Sequence, residues 1–267
     1  MATLAQKLPY THPFAGGYPY RGSQRLPSDP DALTYLAAVA AADGAPVETA
    51  VAVAVDDFFR GTKADNTFSA IKAACLLCGA RTLAGALVPL VGTAPTNNNF
   101  VDADYNRETG LVGNGSTKYL DSNFVNDSST ATDLHMSAYT TSTDPAGYLL
   151  AARIEPYNSA NTDLFTASGV LRARVNTNNQ VLATLADGLQ GATRSGTTVN
   201  VRSGENTGTG TVSGEITQGV SFNVFAREPT GDFSTNRIAF YSFGSALDLA
   251  LLDARVTALV NAIGAAL

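Results

Sequence analysis

The sequence has no tryptophan, only two cysteines and two histidines in 267 residues, and charged side chains make up just 15% of it. Each scarcity removes a class of chemistry. Cys75 and Cys78 have the C-x-x-C spacing of a redox pair or of half a zinc site, but no second Cys or His pair accompanies them. They lie in an apolar stretch, residues 71–79, that reads as helix and suits two buried thiols acting as small hydrophobes. His12 lies among prolines and His135 between Leu134 and Met136 in an apparent strand, so neither suggests the base of a nucleophilic triad. The 23 acidic against 17 basic side chains give a net charge of -6, without the concentrated basic face that phosphate neutralisation needs, and no nucleic-acid partner is expected. No run approaches the roughly 20 apolar residues that span a bilayer. The N-terminus carries Lys7, Pro9 and Pro13 instead of an apolar signal core, so synthesis in the cytoplasm without membrane insertion is expected.

What is present is an apolar content of 45%, ample for a core without metal or disulfide. The first 28 residues set Tyr10, Phe14, Tyr18 and Tyr20 among prolines and glycines with no helical or strand period. Such an arm has no core of its own, and its four aromatic side chains are the candidate contacts to a partner or to the domain surface. A helix then starts with Asp29 as N-cap and Pro30 in the first position, carries Leu33, Leu36 and Val39, and ends before Gly44. A second runs from after Pro46 to about Phe59. A third is expected from Asp65 or Asn66, with Phe68, Ile71, Cys75 and Cys78 on one face.

From Leu83 onward, Thr, Asn, Ser and Gly separate short apolar runs. Residues 134–139, 147–154, 170–175, 181–185, 198–201, 221–226 and 237–243 read as strands. Several alternate, as in Leu171-Arg172-Ala173-Arg174-Val175, which implies half-exposed antiparallel sheets. With no crossover helix visible between about 100 and 244, the fold class is mainly β, an antiparallel β-sandwich with N-terminal helices and one C-terminal helix. That last helix has Ser245 as cap, Asp248 three residues on, and a stripe of Leu249, Leu252, Val256, Leu259 and Ile263 suited to packing on the rest of the chain, or to a short helical seam between copies.

Motifs of catalysis fail on inspection. Gly110 to Gly115 has the glycine spacing of a phosphate loop, but Ser116 replaces the lysine. Asp102, Asp104 and Asn106 open like a calcium loop, but Arg107 replaces its glycine and Gly113 its glutamate. Gly208 and Gly210 sit in a glycine-rich stretch with no helix after it, which reads as a flexible hairpin or loop. The scattered carboxylates nominate no glycosidase pair. No catalytic residue, cofactor or metal site is expected.

Several ordered stretches resemble a family of tailed-bacteriophage virion proteins carrying a concanavalin A-like, laminin-G-type jelly roll. They are residues 57–63 with Ile71-Lys72-Ala73, residues 87–93 with Asn99-Phe100, residues 110–120, and residues 238–244 leading into the last helix. The resemblance covers about Val47 to Leu267. It implies a jelly roll, a place in the virion as tail fibre, head fibre or decoration, assembly into a homo-oligomer with three as the expected copy number, and other virion proteins as partners. The expected division is an anchoring arm over 1–28, a helical segment over 29–82, a β-sandwich over 83–244 and a C-terminal helix over 245–267. A lectin-like module binding host surface polysaccharide is the alternative, with Tyr139, Tyr148, Tyr157 and Phe233 as the aromatic candidates for glycan contact.

Overall fold

A computed structural model describes residues 25–153, 161–214, 217, 219–227 and 231–267. Tyr10, Phe14, Tyr18, Tyr20, His12 and Tyr157 lie outside the described residues.

The strands form two antiparallel sheets. Sheet A runs in the order β14 (Asn206–Thr211), β13 (Thr198–Ser203), β12 (Gly188–Ser195), β7 (Asp133–Ser142), β18 (Arg237–Gly244), β1 (Ile71–Leu76) and β2 (Pro89–Val91). Beside it, β5 (Gly110–Val112) pairs with β18 and with β4 (Tyr105–Asn106). Sheet B runs β11 (Val181–Thr184), β10 (Val170–Thr177), β9 (Asn161–Ala167), β8 (Gly147–Ala152), β15 (Ser221–Val224), β6 (Tyr119–Val125) and β3 (Thr96–Asn98). A small ribbon pairs β16 (Ala226–Arg227) with β17 (Asp232–Phe233). The mainly β sandwich is therefore as expected, and all seven strands read from the sequence are present.

Strand register explains the core. Across sheet B, Val181, Ala173, Leu164, Leu150, Val224 and Leu120 are successive cross-strand neighbours, all pointing inward. Across sheet A, Val201, Ala192, Met136, Phe243 and Ala73 form the facing row. Stacked rings of Phe222 and Phe243, with centroids 4.6 Å apart, join the two sheets.

The helices form a third layer on the other face of sheet A. Helix α1 (Pro30–Asp43) starts where Asp29 accepts from the backbone N–H groups of Asp31 and Ala32, and it stops at Gly44, whose φ of 72° few side chains adopt. Helix α2 (Thr49–Ala64) extends a turn past the expected end, because Phe58, Phe59 and Thr62 are all buried. After the single turn α3 (Leu83–Ala86), the long helix α4 (Leu249–Ala266) closes the chain. Its cap is Asp248, not Ser245, since Asp248 accepts from the N–H groups of Ala250 and Leu251. Leu252, Val256, Leu259 and Ile263 bury its stripe with Phe58, Tyr139, Leu189 and Phe240. By length and composition α4 is apolar enough to cross a membrane, contrary to the reading that no such run exists, but its stripe is packed on sheet A.

This third layer corrects two expectations. Sheet A is not half-exposed: β18 is buried from Ile238 to Gly244. The expected third helix is strand β1, in which Ile71, Ala74 and Leu76 face the helices while Ala73 and Cys75 face sheet B. Alternation was hidden because both faces are apolar. Gly208 and Gly210 lie in β14, the second strand of a hairpin with β13, in line with the hairpin alternative read from the sequence. There a Cβ on Gly208 would stand 1.8 Å from the carbonyl oxygen of Leu182, so only glycine lets the edge of sheet A close over the edge of sheet B.

Candidate functional site

Helices cover sheet A, so the outer face of sheet B is the less covered strand surface among the described residues, although the β16–β17 ribbon lies against β8 and Ala151 and Asp163 on that face are buried. Two cross-strand rows lie on it. One runs Arg174, Asp163, Ala151, Asn223, Asp121 and Thr96; the other runs Leu182, Arg172, Phe165 and Tyr148.

Where the rows meet, planar groups stack into a column. The Arg227 guanidinium lies 4.2 Å from the centre of the Tyr148 ring. Tyr148 stacks on Phe165 at 5.0 Å and 20°, and Arg174 lies 5.2 Å from the Phe165 centre. Asp163 fixes the column from beneath: Arg174 donates to both its oxygens, Nε at 2.8 Å and Nη2 at 2.5 Å, and Arg227 approaches to 4.0 Å. Asp232 also accepts from Arg227 Nε at 3.0 Å. The Asp163 carboxylate is 1% exposed, and burial pushes its pKa up against the opposing pull of Arg174 and Arg227. A carboxylate so enclosed does not reach a substrate. Both faces of each ring are taken up within the column, which leaves ring edges and not an open ring face toward the surface.

The sequence-derived candidates separate on this frame. Tyr148 is in the column, and Phe233 is nearby on β17, next to Asp232, its ring 6.2 Å from that of Tyr119. Tyr139 is not brought together with them: it is on β7, 9% exposed, under the helical layer. Sequence reasoning missed Asp163, Phe165, Arg174 and Arg227. The alternation around Arg172 and Arg174 was visible, but their partners come from other strands.

Among the described residues, the two thiols and His135 are enclosed. Cys75 and Cys78 are buried thiols on opposite faces of sheet A, and burial pushes Cys78 up to about 12 and Cys75 higher still. His135 is fully buried, with Nδ1 2.7 Å from the Ser245 carbonyl and Nε2 3.0 Å from Ser242 Oγ. A carbonyl only accepts, so Nδ1 carries the proton and Nε2 accepts from the hydroxyl. Burial lowers its pKa to about 4, keeping the ring neutral. In the segment that resembled a calcium loop, both Asp104 oxygens engage Lys118 Nζ at 2.6 and 2.5 Å. Among the described residues no cluster of three or more His, Cys, Asp or Glu is placed to hold a metal. In the phosphate-loop look-alike, Asn114 accepts from the N–H groups of Ser116, Thr117 and Lys118, which makes it an Asx-type turn.

The sequence matches no protein-family model and no curated protein. Among solved structures, a Trypanosoma rangeli sialidase matches at 9% identity over 80% of this chain and 40% of its own, with a TM-score of 0.48. Mouse laminin α1 domains LG4–5 match at 14% identity over 61% and 47%, TM-score 0.35. The botulinum neurotoxin serotype D binding domain matches at 12% over 71% and 51%, TM-score 0.42. This chain spans about half or less of each, and the β-sandwich assignment rests on its own strand pairing.

Proposed function

We propose that the chain is a non-catalytic structural component of a tailed-phage particle, attached through its N-terminal region and displaying the outer face of sheet B. The observation that carries this is the one-sided layout. The chain enters the described region on the helical layer, where Arg25 pairs with Asp56 and Asp57 of α2 and the backbone N–H groups of Ser28 and Asp29 donate to Asp56. Sheet A separates that entry from sheet B. Attachment on the helical side thus leaves the other side free for neighbours. The phage part of the reading is supported by the sequence resemblance alone, as are assembly of several identical copies and a place in the virion.

The test is particle purification from the producing cells on a density gradient. The full chain is expected in the particle band, and a chain lacking residues 1–24, which keeps Arg25, Ser28 and Asp29 on the buried Asp56, is expected to fold but stay outside it. A full chain absent from the band overturns the proposal. Light scattering on the purified protein gives the copy number.

The lectin-like reading is favoured by the edges of the stacked Tyr148 and Phe165 rings on the outer side of sheet B, against which the apolar side of a sugar can lie, since the ring faces are already taken up by each other and by Arg227 and Arg174. If it holds, host surface polysaccharide is retained by the wild-type protein and lost on Tyr148→Ala. Equal retention by both proteins removes it.

A further inference from the structure

The outer side of the helical layer carries a groove of about 450 Å³ between α2 and α4, lined by Thr49, Ala50, Val53, Ala54, Ala262 and Ala265, with Arg25 and Asp57 also on its lining. Surface helices ordinarily cover such a seam with long charged side chains. Here Ala50, Ala262 and Ala265 are exposed, and their small side chains leave the groove open.

We infer that this groove seats Tyr18 and Tyr20 of the same chain. The first reason is where the chain enters: Arg25, fixed on Asp56 and Asp57, lines the groove, so the residues before it start there. The second is length. From Thr49 to Asp57 the groove runs about 12 Å along α2 at the helical rise. Tyr20, five residues before Arg25, reaches at most about 17 Å, and Tyr18 somewhat farther. Both are therefore long enough in reach to lie along the groove, and they are the aromatic side chains nearest in sequence to Arg25. The third is chemistry: an aromatic ring with a polar tip fits a shallow alanine-lined slot open to water at one side. Tethering gives the rings a high effective concentration over their seat, which favours the chain's own arm over a neighbour's. The inference stands whether or not the chain belongs to a particle.

The absence of tryptophan makes a clean reporter available. In full-length protein, Tyr18→Trp is expected to emit at the short wavelength of a buried indole and to resist iodide quenching. Adding Ala262→Arg or Ala50→Arg, both at exposed positions, is expected to shift emission to that of free tryptophan and restore quenching. Ala38→Arg, on the exposed side of α1, is expected to change nothing, and circular dichroism checks that each variant is folded. A water-exposed indole in the single variant overturns the inference, as does an indole unmoved by both groove arginines. Release on dilution through the micromolar range also overturns it, by assigning the seat to another copy's arm.

Discussion

Sheet A is covered on both faces and sheet B on one, and the strands differ accordingly. In β18 the run Ile238-Ala239-Phe240-Tyr241 is apolar on both sides, since Phe240 meets Phe58 of α2 while Tyr241 faces the inter-sheet core. In β10, Leu171, Ala173 and Val175 are buried while Arg172 and Arg174 reach the open face. An alternating pattern therefore marks the sheet that has a free surface, and its loss marks the sheet that supports a third layer. In this molecule sheet A carries apolar packing on both faces, and sheet B carries the polar and charged side chains of its outer face.

The sharpest test of that contrast is Phe240→Ala, expected to cost about 3–5 kcal/mol in denaturant unfolding, against about 1 kcal/mol for Phe165→Ala on the open face. Equal losses would break the comparison. Next comes Arg174→Ala, which leaves Asp163 buried with its bidentate partner gone and is expected to cost about 3 kcal/mol near neutral pH. Asp163 already has a raised pKa, and without Arg174 it rises further. Protonation relieves the penalty, so the deficit should shrink as pH falls; a deficit flat with pH would contradict this account.

A smaller effect comes from His135 in sheet A. Its folded pKa of about 4 lies below the ordinary 6.5, so the unfolded chain takes up the proton first. Its contribution is complete above about pH 6.5 and is lost as pH falls toward 4, amounting to about 2 kcal/mol by pH 5. His135→Gln should flatten that part of the stability profile. Alkylation of Cys75 and Cys78 should be undetectable in the native protein at pH 8 and complete in denaturant, as mass spectrometry will read. At the bottom of the scale, Leu182→Thr on the exposed edge of sheet B should change stability by no more than about 0.5 kcal/mol.

Legibility in the sequence follows the same division. Helix α1 was readable to the residue, because Asp29, Pro30 and Gly44 are local signals. Strand β10 was readable from its period. Strand β1 was not, since Ile71-Lys72-Ala73-Ala74-Cys75-Leu76 has apolar groups on both sides and resembles a buried helix at that length. Strand β14 was hidden by glycines whose purpose, close passage by Leu182, involves another sheet. The site was legible only at Tyr148: Asp163, Arg174 and Arg227 become neighbours through strand pairing and the β16–β17 ribbon, and no spacing along the chain encodes that.

One buried side chain remains outside the contrast. Arg194, 1% exposed, donates to the carbonyl oxygens of Val175, Gly196 and Gly214 at 2.7, 2.8 and 2.7 Å, joining the end of β10, the β12–β13 turn and the segment after β14. A ring of backbone carbonyls around a positive centre is the arrangement by which many domains clamp loops onto a metal ion. Here the positive centre is covalently part of the chain and cannot be deprotonated in the physiological range. The clamp on these three segments therefore cannot be removed by a chelator and does not wait on the ion supply of whatever compartment the protein enters.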